Sequence, residues 1–212
     1  MTEAALRNSR RNPERNKDRI LRAATGEFAR FGLGGARVDR IAERAGANKR
    51  MLYYYFGNKE ALFLAVLESR YAHIRQAEQG LPLGDLEPRE GMRRLVAFTW
   101  NYYLKHPEFL TLLNSENLHR ARHLQRSRQI AAMHSPLVAM LRDLLARGVR
   151  KGQFRRGVDP VQLYISIAAL GYFYLSNRHT LSTIFERDLL SSRNKSERLK
   201  HMTALVLGYL SN

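Results

Sequence analysis

The chain has 212 residues, enough for one small unit and a larger one with its own hydrophobic core. Its 36 lysines and arginines exceed its 19 acidic residues, and the formal net charge of +17 favours a polyanionic partner. The absence of cysteine excludes disulfides and thiolate metal sites. The longest apolar run, residues 163–175, is too short to span a bilayer, so we expect a cytoplasmic protein with no membrane partner.

A basic stretch with almost no apolar residue opens the chain, and we expect residues 1–15 to form a flexible arm. Such an arm either adds contacts to a nucleic acid or only keeps the protein in solution.

The Asn12-Pro13 pair is a typical helix start, and glycines 32, 34 and 35 interrupt the helix that it opens. That helix carries an apolar stripe of Ile20, Leu21, Ala24, Phe28 and Phe31.

Residues 38–59 predict two short helices joined by a tight turn. Ile41 and Ala45 lie on one face of the first helix, and Gly46 ends it because glycine accepts positive φ without a Cβ clash. Asn48 is a good N-cap for the second helix, since its side-chain oxygen accepts from the free N–H groups of the next turn.

The second helix presents cationic and phenolic side chains to solvent. Leu52 and Phe56 are four residues apart and must face the core, which turns outward Lys49, Arg50, Tyr53 and Tyr54. Such groups reach guanine edges, phosphates and thymine methyls in a major groove. We therefore interpret the segment as a helix-turn-helix that reads DNA, and the alternative is a helical hairpin with a solvated charged face.

The sequence AATGEFARFG, followed by VDRIAERAGANKRMLYYYFGNKEALF, resembles the N-terminal domain of the tetracycline-repressor (TetR) family of bacterial transcription regulators. The elements F-x-x-x-G, I-A-x-x-A-G, L-Y-x-Y-F and N-K-E-x-L occur in the family's order and spacing. The resemblance implies an all-α fold with a three-helix helix-turn-helix domain in residues 16–58. A helical domain for effector binding and dimerisation would follow in residues 59–212.

The resemblance also assigns roles to individual residues. Base edges would be approached by Lys49, Arg50 and Tyr53, and phosphates would be held by Tyr54, Tyr55 and Lys59. At the start of the first helix, Arg37 and Asp39 stand where the family often has a capping threonine or serine that touches phosphate, so that cap is missing here. The residues that we predict to bind DNA are Arg37, Val38, Asn48, Lys49, Arg50, Tyr53, Tyr54, Tyr55 and Lys59.

Beyond residue 70 the pattern predicts helices separated by short breaks, with no period-two segment that indicates a sheet. Asn58 can cap a long helix after the hairpin, and Asp159 can cap a later one that Pro160 opens. The expected helices are 107–118, 120–150 with a kink or break at Pro136, 161–184 and 196–210. The last two have long apolar faces, which in the resembling family pack against a second copy as a four-helix bundle. We expect a homodimer whose interface contains Leu163, Ile167, Leu170, Tyr174, Met202, Leu205 and Tyr209.

Polar residues among apolar ones in the middle helices suggest a pocket for a small, anionic or aromatic effector. The candidate lining residues are Trp100, Tyr103, Phe109, Leu113, Asn114, Asn117, His134, Asn177 and Arg178. Arg178 is the candidate partner of a carboxylate on the ligand.

Three hypotheses remain open. The first is a ligand-responsive transcriptional regulator, most often a repressor in the resembling family, that binds palindromic double-stranded DNA as a homodimer and needs no cofactor. The second is an effector-independent or architectural DNA-binding protein. The third, a helical metalloenzyme, rests on Glu116, His119 and His123 at i, i+3 and i+7 of one helix face, and a matching second set is missing. We expect no catalytic residues and no metal.

Overall fold

The computed structural model describes residues 13–211, without the side chains of Ala131, His134 and Ser135. Most of the predicted arm, residues 1–12, lies outside the described residues. Throughout residues 13–211 the regular elements are helices, which confirms the all-α prediction. The chain divides into two compact units, one holding the chain up to Tyr71 together with Thr111–Ile130, the other holding Ala72–Leu110 together with the chain from Ala131 onward.

In chain order the α-helices are α1 (Pro13–Gly35), α2 (Val38–Arg44), α3 (Lys49–Phe56), α4 (Lys59–Gln79), α5 (Pro88–Lys105), α6 (Pro107–Leu118), α7 (Arg128–Arg150), α8 (Pro160–Ser176), α9 (Arg178–Ile184) and α10 (Ser192–Leu210). A 3₁₀ turn, Leu124–Arg126, precedes α7. Gly32 interrupts α1 with a φ of 64°, as the glycine cluster predicts.

The first unit holds the predicted helix-turn-helix, and we call it the DNA-binding unit after that prediction. Its core is discontinuous in sequence. Side chains from α1, α2, α3 and α4 meet in it, and Leu112 of α6 is fully buried in the same cluster. Phe28 and Phe63 form its aromatic centre, with ring centroids 5.1 Å apart at 76°. Phe31, expected in the apolar stripe, is instead 36% exposed under the guanidinium of Arg40. Burial of this core fixes the directions in which α2 and α3 present their outer faces.

The second unit, called here the C-terminal unit, is a helical assembly in which α5 packs against α8 and α10. Asp159 caps α8 by accepting from the backbone N–H groups of Val161 and Gln162, and Pro160 opens the helix, as predicted. Gly148 is required by close packing, since a Cβ there would lie 1.9 Å from Cδ2 of Phe154.

Three predicted helix boundaries are wrong. The helix expected from residue 120 begins at Arg128, and Pro136 lies within it without ending it. The helix expected over 161–184 is two helices, because α8 ends at Ser176 and Asn177 separates it from α9. The last helix begins at Ser192 rather than residue 196, and the Ser191 hydroxyl caps it by accepting from the N–H of Asn194.

Candidate nucleic-acid interface

A buried carboxylate, Glu27 of α1, holds the start of α2. Its Oε1 accepts the backbone N–H of Arg37 at 3.1 Å and lies 2.8 Å from Nε of Arg40, and Arg44 approaches its other oxygen at 3.7 Å. Arg37, the N-cap residue of α2, makes no side-chain capping bond, as the sequence predicts. Glu27 therefore anchors the start of α2 from a neighbouring helix, through the N–H of the N-cap residue and not through the N–H groups of the first turn.

The turn between α2 and α3 is fixed by backbone conformation and by an arginine from α1. Gly46 has a φ of 56°, and a Cβ there would lie 2.6 Å from Nη2 of Arg19. Arg19 donates from Nε to the carbonyl of Ala45 at 2.9 Å and from Nη2 to the carbonyl of Gly46 at 2.8 Å. Arg19 thus binds both carbonyls of the turn, which fixes the direction of α3 relative to α2.

Helix α3 has one buried face and one exposed face. Asn48 caps it by accepting from the N–H of Met51 at 2.8 Å, as predicted, and Leu52 is fully buried. Tyr53 is 45% exposed and Tyr54 is 82% exposed. Contact between large aromatic rings and water is unfavourable. Two exposed phenols on one short helical face therefore indicate a surface that a partner covers.

The structure distributes the other predicted DNA-binding residues over the same unit. Arg37, Lys49 and Arg50 are exposed, whereas Val38, Tyr55 and Lys59 are partly buried. The ammonium of Lys49 forms an ion pair with Asp39, and the ammonium of Lys59 donates to the carbonyl of Gly34 at 3.3 Å. Asn58 caps α4 by accepting from the N–H of Ala61, as predicted, which fixes Lys59 at the helix start.

The proposed metal-ligand geometry of Glu116, His119 and His123 is wrong, because α6 ends at Leu118 and the two histidines do not continue its face. Glu116 instead accepts from the backbone N–H groups of His123 and Leu124, and its Oε2 lies 2.6 Å from Nδ1 of His123. Among the described residues, no group of three or more histidine, cysteine, aspartate or glutamate side chains is arranged to hold a metal ion.

Several predicted effector residues lie inside the C-terminal unit. Trp100, Tyr103 and Phe109 are buried there, with the rings of Tyr103 and Phe109 stacked at 6.2 Å. Asn177 and Arg178 donate to carbonyls of the preceding turn of α8. The remaining candidates are divided: Leu113, Asn114 and Asn117 fall in the DNA-binding unit, and the side chain of His134 is not described.

The predicted interface helices α8 and α10 leave an apolar groove of about 440 Å³ between them. Leu205 and Tyr209 of the predicted set are 46% and 49% exposed, whereas Met202 is fully buried within the subunit. Leu163 and Ile167 are also buried, and Leu170 and Tyr174 are partly buried. The sequence did not single out two large exposed residues of α8, Ile165 at 51% and Phe173 at 59%.

Sequence reasoning missed the acids that organise cations. Glu27 and Asp39 in the DNA-binding unit each hold at least one basic side chain. In the C-terminal unit Arg75 and Glu78 are buried as an ion pair of 2.8 Å, and Arg75 donates to the hydroxyl of Tyr164 at 2.8 Å. The available signal for Glu27 was a lone carboxylate beside the apolar stripe of α1, which requires a cationic or N–H partner when buried.

Comparison with known proteins agrees with this geometry. Residues 20–66 match the family described as bacterial regulatory proteins, tetR family, and residues 88–206 match the tetracyclin repressor-like C-terminal domain. The HTH-type transcriptional repressor NicS of Pseudomonas putida is 43% identical over 194 residues, covering 92% of each chain. The HTH-type transcriptional repressor SCO4008 of Streptomyces coelicolor is 38% identical over 140 residues, covering 66% of this chain and 69% of that protein.

Solved structures show the same fold. The crystal structure of the transcriptional regulator SCO4942 from Streptomyces coelicolor superposes with a TM-score of 0.69 at 24% identity, covering 92% of this chain and 98% of that one. Among the described residues no helix is long and apolar enough to cross a membrane. The family consists of DNA-binding regulators rather than enzymes, and the chain belongs to it: it is a TetR-family transcriptional regulator.

Proposed function

We propose that this regulator is a ligand-responsive repressor that binds a palindromic operator as a homodimer. The observation that carries the proposal is the outer face of α3, where Arg50, Tyr53 and Tyr54 are exposed on a helix whose start is capped and whose opposite face is buried. A fixed helix with a cationic and phenolic face suits base-edge and phosphate contacts in the major groove. Because bacterial DNA lies in the cytoplasm, we expect the protein to act there.

The exposed apolar face of α8 and α10 supports the homodimer. Four large side chains with 46–59% exposure, Ile165, Phe173, Leu205 and Tyr209, lie on these two helices. Ser166 and Ala169, both exposed, line the groove between them, and such small residues permit close approach of a second helix. An isologous contact between two copies covers this face and gives the twofold symmetry that a palindrome requires.

The interior of the C-terminal unit supports an aromatic or anionic effector. Trp100 meets Tyr174 edge-on at 5.5 Å, and Tyr102 lies between His106 and Phe109, so the unit contains a cluster of rings with polar edges. Rings with a few polar groups are what a small-molecule site needs for burial and orientation. The predicted lining residues Asn177 and Arg178 would contribute by leaving their present backbone partners. A coupling of about 1–3 kcal/mol between effector and operator is sufficient for regulation.

Footprinting on the DNA next to the protein's own gene tests the proposal. We expect protection of a palindrome, and Arg50→Ala should reduce the preference at one base position of each half-site by about 1–3 kcal/mol. Arg142→Ala, which removes an exposed arginine of α7, is the matched control and should change neither footprint nor affinity.

Adding small aromatic acids to the same assay tests the effector. Unchanged protection with Arg50→Ala would refute the assigned surface, and protection that no ligand alters would favour an effector-independent factor.

A further inference from the structure

The basic side chains of the helix-turn-helix differ in how far their charge is already neutralised. Glu27 forms ion pairs with two of them, Arg40 and Arg44, and Asp39 forms one with Lys49. Among the described residues, Arg37 and Arg50 have no carboxylate partner within ion-pair distance. The unit therefore offers a phosphate backbone fewer uncompensated charges than its sequence contains.

The two acids differ in position and in what they do for the fold. Glu27 is 1% exposed and binds the backbone N–H of Arg37, so it is part of the architecture of α2. The side chain of Asp39 is 53% exposed in the first turn of α2, where its charge is also favourable for the helix dipole. Its partner Lys49, 55% exposed, is the first residue of α3. Asp39 thus places a negative charge beside the helix that we assign to DNA reading.

A carboxylate at this position imposes a condition on the DNA that the protein binds. Exposed ion pairs contribute little free energy because water and salt screen them, so Lys49 can leave Asp39 for a base or a phosphate. The carboxylate then faces a polyanion without its partner. It gains a new partner only from a base-edge donor, such as the N4 amino group of cytosine, because phosphates, guanine O6 and thymine O4 are acceptors.

We propose that Asp39 is a specificity-determining residue of this regulator, a proposal that rests on the assignment of α3 as the DNA-reading helix. Its carboxylate neutralises the charge of Lys49 and so weakens the attraction of that lysine to the phosphate backbone. Lys49 then binds DNA favourably only where a base-edge donor lies near enough to bind Asp39. Asp39 therefore lowers affinity for arbitrary sequences more than affinity for the operator, which is discrimination by an unfavourable contact with the wrong partner.

Asp39→Asn tests the assignment, because it keeps the shape of the side chain and removes its charge. We expect binding to random-sequence duplex DNA to tighten at least threefold and the slope of log K against log salt to steepen by about 0.9, the value of one additional phosphate contact. The ratio of operator to random-sequence affinity should fall by a similar factor. Asp39→Asn combined with Lys49→Gln should restore the wild-type slope, because the lysine that Asp39 restrains is then absent.

Glu43→Gln is the matched control, since it removes an exposed carboxylate from the same helix without touching Lys49. It should leave the specificity ratio within twofold of wild type, and an equal loss of specificity would show that only net charge matters, overturning the role of Asp39. A wild-type ratio and slope for Asp39→Asn would overturn it as well. Arg50→Ala separates this failure from that of the proposed function: if Arg50→Ala still weakens operator binding, the reading helix is correct and only Asp39 is misassigned.

Discussion

Glu78 of α4 is 2% exposed, and burial raises the pKa of its carboxyl group from 4.5 to about 7, although the guanidinium of Arg75 opposes that rise. A group with a raised native pKa binds more protons in the native state than in the unfolded state between these two values. Stability therefore falls as the pH rises from about 4.5 to about 7 and changes no further through this group at higher pH.

Glu78→Gln should remove this part of the pH dependence. We expect the melting temperature to rise when the pH is lowered from 7.5 to 5, and to rise less in the variant than in the wild type. Circular dichroism at matched ionic strength measures both values. Glu90→Gln is the control, because it makes the same chemical change at a half-exposed carboxylate of α5 in the same unit. Equal pH dependence of Glu78→Gln and wild type would show that Glu78 is ionised throughout this range.

At the level of elements, the segment after α6 is held by one side chain. Both oxygens of Glu116, itself 1% exposed, bind groups of residues 123 and 124, and the ring of His123 meets Phe63 edge-on at 5.2 Å in the core of the DNA-binding unit. Glu116→Ala leaves two backbone N–H groups without their acceptor. We expect a loss of about 3 kcal/mol in the free energy of unfolding, measured in urea, because unsatisfied buried donors cost about 1–3 kcal/mol each.

Asn117→Ala provides the comparison for that loss, since Asn117 is the exposed neighbour of Glu116 on α6 and donates only to a carbonyl of its own helix. Its effect should stay within about 0.5 kcal/mol, the range of ordinary surface substitutions. If the two variants unfold at the same urea concentration, the Glu116 contacts do not contribute to the stability of the unit.

The same segment shows which elements the sequence can predict. Helix starts at Asn48, Asn58 and Asp159 were predicted correctly, because a capping side chain bonds within three residues and its effect is local. The end of α6 at residue 118 was predicted as well, but the start of α7 was not, because the alanine, arginine and leucine of residues 120–126 favour helix. There Arg120 and Ala121 adopt φ values of 55° and 57°, and long-range packing overrides local preference.

For the site, residue type predicted the exposed face of α3, because the buried positions follow the helical period. The ion pairs did not follow from the sequence, since Glu27 and Arg40 lie on different helices and no spacing rule links them. The role of Glu27 as an anchor for α2 became visible only when the two helices were in place.

At the scale of the whole molecule, the DNA-binding unit does not coincide with a continuous stretch of chain. Its core includes Leu62 and Phe63 of α4 and Leu112 of α6, all fully buried, which lie beyond the predicted boundary between residues 58 and 59. A change in α6 therefore acts directly on the packing that orients α2 and α3. We therefore expect a substitution at Leu112 to alter DNA binding, since packed cores respond to shifts of less than an ångström.

The proposed homodimer belongs to the same scale, because under that proposal one copy of α3 reads only one half-site. Leu205→Asp introduces a carboxylate into the exposed face of α8 and α10, where a second copy would bury it without a partner at a cost of about 3–5 kcal/mol. We expect the variant to sediment as a monomer at concentrations where the wild type is a dimer. Its affinity for the palindrome should fall to that for an isolated half-site, because two reading helices about 34 Å apart no longer act together.

Leu118→Asp makes the same chemical change at a leucine that is 83% exposed outside this face, and it should leave both sedimentation and operator affinity at wild-type values. The pair of variants separates loss of an interface from a general effect of added negative charge on binding to DNA. If Leu205→Asp sediments with the wild type while operator affinity falls equally in both variants, charge explains the loss and α8 and α10 do not form the interface. A monomeric Leu205→Asp beside a dimeric Leu118→Asp assigns the twofold contact to these helices, because the two substitutions differ only in the surface that they alter.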